Sequence, residues 1–250
     1  MHTLILVVVG LWCFATALLG GLVGLVLGNI RLPVVVLAAT SPAAGAGANI
    51  GISACAALAS AVSHIRAGRI DWRLFAWMAP PSMVGAVVGG LLSDRIPARA
   101  LLATIGVTLL LFGIDLLRSH AARPTVGRPG KPNVRAAVVA GALIGLLGGF
   151  VGLILGALRL PALLRFVGLD AFRVVGTNAA VGFCLGVAGV FGHLSGGVDW
   201  TLLGIGAATS VPGSILGATL TGRLDERQLL RAVGVVLLVA GSALLVQAAV

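Results

Sequence analysis

Residues 21–28 read Gly21-Leu22-Val23-Gly24-Leu25-Val26-Leu27-Gly28, and residues 149–156 read Gly149-Phe150-Val151-Gly152-Leu153-Ile154-Leu155-Gly156. Each run leads into the same signature at one constant offset, Arg31-Leu32-Pro33 in the first case and Arg159-Leu160-Pro161 in the second. Self-similarity over such a distance marks a duplicated structural unit. The match extends outward. Asn49 returns as Asn178 and His64 as His193 after a one-residue shift, and Asp71-Trp72 returns as Asp199-Trp200. Gly85 and Gly89 recur as Gly213 and Gly217, Gly106 as Gly234, and Gly113 as Gly241. The pattern predicts two homologous repeats, 1–117 and 136–250. Between them lies a basic, proline-containing linker, 118–135, with Arg118, Arg123, Arg128, Lys131 and Arg135.

The composition says what medium surrounds these repeats. The 250 residues are 59% apolar and only 10% charged, with a mean hydropathy of +1.13. A soluble domain averages roughly 25% charged residues, so too little polar surface exists here to face water. A soluble enzyme, a disordered tail and a secreted disulfide scaffold are excluded. Cys13, Cys55 and Cys184 stand in apolar stretches without metal or disulfide spacing and read as small buried hydrophobes. The net charge of +10 comes from residues in the gaps between apolar runs, where membrane proteins keep them at the headgroups. Aromatic residues are not interleaved with them, so no nucleic-acid partner is expected.

Windows free of Asp, Glu, Lys and Arg give the spans: Leu4–Gly28, Leu32–Ile65, Leu74–Ser93, Ala100–Ile114, Ala136–Leu158, Val174–Val198, Trp200–Gly222 and Ala232–Val250. A helical crossing takes about 20 residues, so Ala100–Ile114 must continue past Asp115 to Leu117. The fold class is all-α, a polytopic helical membrane protein of about eight spans, or seven if one is re-entrant. A β-barrel would show alternating segments of about ten residues. The first run lacks a basic n-region in Met1-His2-Thr3 and reads as an uncleaved span. Basic residues divide almost evenly between the two sides, so the positive-inside rule leaves the orientation open. The density of charge in the linker favours a cytoplasmic position for it.

Helix breaks are expected at Gly24, Gly28 and Pro33, and again at Gly152, Gly156 and Pro161. Arg31 and Arg159 fall at those breaks, where irregular backbone at membrane depth must line a cavity or pack against protein. An arginine fork there suits the oxygens of a carboxylate, sulfonate or sulfite, and the duplication can bring both guanidiniums to one central anion. The alternative is that both side chains snorkel to headgroups. The segments opening at Pro33 and Pro161 are candidate half-helices with N-termini turned to an anion.

Asn49, Thr177 and Asn178 are polar side chains within spans, suited either to substrate or to helix–helix hydrogen bonds; Ser41 and Ser53 are weaker candidates. His64 and His193 read as span-end residues at the interface. Asp71 and Asp199 read as helix-start acids before the interface anchors Trp72 and Trp200. The Gly85/Gly89 and Gly213/Gly217 pairs read as close helix contacts. No cluster with metal-ligand spacing, no catalytic constellation and no cofactor motif is present, so no metal, cofactor or enzymatic activity is expected.

The duplicated order of glycine-rich break, proline, polar small-residue helix, His64-Ile65-Arg66-Ala67-Gly68-Arg69-Ile70-Asp71-Trp72 loop and Gly-x-x-x-Gly helix resembles the TauE/SafE family. These are sulfite-exporter-like or toluene-sulfonate-uptake permeases. The family's break carries more glycines; Val26-Leu27 and Ile154-Leu155 stand between the outer ones here. The resemblance implies a permease for small anions such as sulfite, sulfonates or related organic anions. It would work as a multi-pass protein of a cell membrane, in bacteria the plasma or inner membrane. Its partners would be the lipid bilayer and the anionic substrate, with a homo-oligomer left open. A passive anion channel is the main alternative and a membrane-embedded enzyme a lesser one.

Overall fold

The computed structural model describes residues 2–91, 98–119, 133–151, 154–167, 170–193 and 197–249, and every regular element among them is helical. The helices are α1 (His2–Val23), α2 (Gly28–Ala38), α3 (Pro42–Arg66), α4 (Trp72–Leu91), α5 (Ala98–Ser119), α6 (Val134–Val151), α7 (Gly156–Ala162), α8 (Ala171–His193), α9 (Trp200–Thr221) and α10 (Glu226–Ala249). A π-helical turn, Leu163–Val167, continues α7. Thr3–Val23, Ala44–Arg66, Ala171–Phe191, Trp200–Thr221 and Glu226–Ala249 are long and apolar enough to cross a membrane. Large apolar side chains such as Leu11, Trp77, Val84, Leu111 and Val239 face outward, the surface a multi-pass membrane protein offers to lipid.

Three expected spans are built differently. The first does not stay helical to Gly28. α1 stops at Val23 because Gly24 adopts φ +65°, and a Cβ there would collide with the carbonyl of Val175. The Leu25 N–H turns back onto the Gly20 carbonyl at 2.8 Å, and non-helical Leu25–Leu27 lead into α2. The expected span Leu32–Ile65 is two helices, α2 and α3. The Ser41 hydroxyl caps α3 by accepting from the Ala44 N–H at 3.1 Å, and Pro42 opens the helix. The run Ala136–Leu158 likewise divides into α6 and α7; Gly152 lies outside the described residues.

Pro33 and Pro161 are not breaks. Both sit inside helices, α2 and α7, which open at Gly28 and Gly156 instead. The missing N–H of Pro33 leaves the carbonyl of Asn29 without its helical donor, and Gln247 of α10 supplies one, Nε2 donating at 3.0 Å. α5 continues through Asp115 as expected. The linker's residues 120–132 lie outside the described residues, and its outer ends belong to α5 and α6.

α1 packs along α9, α4 along α6, α5 along α10, and α3 against both α8 and α9. Facing residues give the directions. α1 and α9 are parallel: the hydroxyls of Ser210, Ser214 and Thr221 donate to the carbonyls of Cys13, Ala17 and Leu22. α4 and α6 are parallel, with Gly141 on Met78 and Gly145 on Ser82. α3 and α8 are antiparallel, since Ile50 faces Gly189 and Ala54 faces Gly186. α5 and α10 are also antiparallel, with Gly106 against Gly241 and Gly113 against Gly234.

The glycine spacings serve these contacts. Gly213 and Gly217 abut the Phe14 and Leu18 carbonyls, and Gly85 abuts that of Ala142. Between apolar helices in lipid, such close backbone approach is a principal source of association. A Cβ at Gly217 would fall on the Leu18 carbonyl and 2.7 Å from the Leu22 nitrogen, whereas one at Gly204 would meet nothing within 4 Å. Gly217→Ala is therefore expected to cost about 1–3 kcal/mol, seen as a lower melting temperature in detergent. Gly204→Ala, with open space for its methyl and a better helix former in place, should not lower the melting temperature.

Candidate functional site

Arg31 stands in the second turn of α2 and Arg159 in α7; they are 1% and 0% exposed, so neither reaches headgroups. Asn49 and Asn178, 2% and 1% exposed, hold them. Arg31 Nε donates to Asn49 Oδ1 at 2.9 Å, and Nη2 donates to the Asn49 carbonyl at 3.1 Å and to Ser53 Oγ at 2.5 Å. Asn49 Nδ2 donates in turn to the carbonyl of Gly28, the first residue of α2. On the other side, Arg159 Nη1 donates to Asn178 Oδ1 at 3.1 Å. Asn178 Nδ2 donates to the Gly156 carbonyl at 3.2 Å and to the Gly24 carbonyl at 2.7 Å. Asn178 thus fastens α7 and the end of α1 to one point on α8.

Each expected arginine therefore meets its expected asparagine. The non-helical Leu25–Leu27 segment joins the two pairs: Gly24 meets Asn178 at one end and Gly28 meets Asn49 at the other. At the Asn49 end Val26, Gly28, Asn29, Asn49, Ile50, Ser53 and Ile154 line a small cavity of about 10 Å³, the space of roughly one water. Both breaks contribute to it.

The other expected residues fall elsewhere. Thr177 is fully buried, but its hydroxyl accepts from the Asp71 N–H at 3.0 Å and so ties the α3–α4 loop to α8. Ser41 is the α3 cap. His64 is not interfacial: it is fully buried, close to the Gly21 carbonyl and Arg69, because the last turn of α3 tucks against the end of α1. The side chain of His193 lies outside the described residues. Asp71 and Asp199 do cap helix starts, accepting from the Leu74 and Leu202 N–H groups, and Trp72 and Trp200 are exposed beside them.

Sequence reasoning underweighted Ser53. It missed Ser60, which is buried with its hydroxyl unpartnered among the described residues. The signal was present, since positions 49, 53, 60 and 64 fall within one narrow face of an α-helix.

Charge completes the chemistry. All described partners of the two guanidiniums are neutral, and the nearest ionisable neighbours are thiols, Cys13 and Cys55 for Arg31 and Cys184 for Arg159. Among the described residues no group of His, Cys, Asp and Glu is arranged to hold a metal ion.

A multi-pass helical bundle with interrupted helices and buried polar side chains at the interruptions is the architecture of a membrane transporter. The family model for Sulfite exporter TauE/SafE matches residues 9–244, and the chain belongs to that family of membrane transporters. It is 24% identical to the probable membrane transporter protein YunE of Bacillus subtilis (strain 168), over 98% of this chain and 98% of that protein. It is 27% identical to a probable membrane transporter protein of Xylella fastidiosa (strain 9a5c), over 86% of this chain and 83% of the relative. Against the probable membrane transporter protein YjnA of Bacillus subtilis (strain 168) the identity is 25%, over 89% and 94%. No solved structure matches the chain.

The bonding pattern ranks the two ends of the site by stability. Asn178→Ala removes the acceptor of one buried cation and the donors of two buried carbonyls, and is expected to cost about 3 kcal/mol or more. Ser53→Ala leaves Arg31 both bonds to Asn49 and is expected to cost about 1 kcal/mol. Thermal melts in detergent compare them, and equal losses would contradict the bridging role of Asn178.

Proposed function

We propose that this protein is a secondary transporter of small oxyanions, such as sulfite, sulfonates or related organic anions, across a cell membrane. The observation that carries the reading is a pair of fully buried guanidiniums whose described partners are all neutral. An unpaired charge in a low-dielectric interior costs several kcal/mol, and a bound anion removes that cost. Arg31, Arg159, Asn49 and Asn178 are the anion-handling residues, with Thr177 holding the loop beside them. Charged residues within spans of transporters mark substrate pathways by default.

The architecture fits alternating access. We read the chain as two repeats, residues 1–117 and 136–250 joined by 118–135, in inverted orientation. The antiparallel pairs α3/α8 and α5/α10 join helices that correspond in the duplicated sequence, which supports an axis lying in the membrane plane. α2 lies antiparallel to α3, with Arg31 on Asn49 and Val36 on Gly45, so it returns the chain after α1. Each repeat then has five traversing segments, α2 and α7 being the broken ones, in place of the expected four. An odd number per repeat is what inversion requires. The cavity of about one water between the breaks is closed to an anion, as a carrier between its open states is.

Proteoliposomes loaded with sulfite, isethionate or acetate test the reading. Wild type should show saturable flux with counterflow. Arg31→Gln and Arg159→Gln should each reduce it at least tenfold, and Arg73→Gln, at an exposed position, should not. Flux unchanged by both buried substitutions would overturn the site, and non-saturating conductance would make the protein a channel.

A further inference from the structure

The two arginines are chemically alike but differently engaged. A guanidinium offers oxyanions a side edge, formed by Nε–H and one Nη–H pointing the same way. In Arg31 the Nε/Nη2 edge is taken up by the protein: Asn49 Oδ1 sits on Nε, and Ser53 Oγ with the Asn49 carbonyl sits on Nη2. Those oxygens stand where the two oxygens of a carboxylate or sulfonate would. In Arg159 the asparagine is on the other side, Asn178 Oδ1 on Nη1, and both Nε and Nη2 are buried without a hydrogen-bond partner among the described residues.

One position in the sequence explains the difference. Ser53 follows Asn49 by four residues; the residue four after Asn178 is Gly182, which has no hydroxyl to offer. Among the described residues, a Cβ at Gly182 would meet only the Val26 side chain, at 3.1 Å. Buried donors are rarely left unpaired, and a pair on the bidentate edge of a fully buried arginine calls for two acceptor oxygens.

Building on the transporter reading above, we infer that the anion docks on the Nε/Nη2 edge of Arg159, while Ser53 holds Arg31 closed. The substrate class is an anion with two oxygens on one face: sulfite, a sulfonate or a carboxylate. Arg31 is the positioning member in this conformation, a clasp that fixes α2 to α3. Gly182 is the residue that keeps the receiving edge open, and a serine there would close Arg159 as Ser53 closes Arg31.

The experiment is saturable uptake of sulfite, isethionate and acetate into proteoliposomes, with KM and maximal rate measured for Gly182→Ser, Gly182→Ala, Ser53→Ala and Arg73→Gln, alongside melting temperatures in detergent. Gly182→Ser should raise KM about tenfold or more, the effect of losing one charge-assisted hydrogen bond to the anion. It should do so without lowering the melting temperature. Gly182→Ala adds a methyl without an acceptor and should change KM less than about threefold. Ser53→Ala should lower the melting temperature, and Arg73→Gln, at an exposed position outside the site, should leave KM nearly unchanged.

Equal KM for Gly182→Ser and Gly182→Ala would overturn the open-edge assignment, as would a KM increase confined to Ser53→Ala. If those results accompanied loss of flux in both Arg31→Gln and Arg159→Gln, the transporter reading would stand and the asymmetry alone would fall. Wild type binding and moving none of the three anions would remove both.

Discussion

Two positive charges sealed inside an apolar bundle set the terms for everything around them. A buried guanidinium calls for acceptor oxygens, and lipid supplies none. The protein answers with neutral acceptors, Asn49, Ser53 and Asn178, each drawn from a long helix that packs against another long helix. Those asparagines spend their remaining hydrogens on the carbonyls of Gly24, Gly28 and Gly156, the residues that bound the breaks. The same side chains that solvate the charges therefore also satisfy the backbone that the breaks leave open. Neither feature would be stable without the other.

The glycines make the second half of this arrangement. Gly24 turns the chain with a positive φ, and Gly213, Gly217, Gly106 and Gly241 let pairs of helices approach backbone to backbone. Long helices held that closely form the frame, while α2 and α7 are short and join it through the Arg–Asn bonds together with the apolar packing of Val35, Leu158 and Leu160.

Much of this was legible in the sequence because duplication repeats its signals. The matching of Asn49 with Asn178 and of Arg31 with Arg159 picked out four residues that the structure joins as two hydrogen-bonded pairs. Hydropathy alone misjudged where helices begin. It ran α2 and α3 together, although Ser41-Pro42 is a strong start signal, because no charge interrupts the run. The proline rule places a break at Pro33 that the structure does not have. A proline inside a helix costs less when another side chain, here Gln247, supplies the lost donor, and that contact comes from the far end of the chain. Depth was the least readable quantity. His64 lies in a run next to charged residues, yet tertiary packing buries it.

The central claim is that an anion occupies the interior on a buried arginine, and linkage offers a direct reading of it. Thermal melting of the detergent-solubilised protein should be followed against rising sulfite, with choline chloride as a control for ionic strength. A ligand at a hundredfold excess over its Kd stabilises the folded state by about 2.7 kcal/mol. The account predicts a saturable rise in melting temperature with sulfite that is absent in the Arg31→Gln/Arg159→Gln double variant. An identical rise in wild type and double variant, or no rise in wild type at any sulfite concentration, would contradict it.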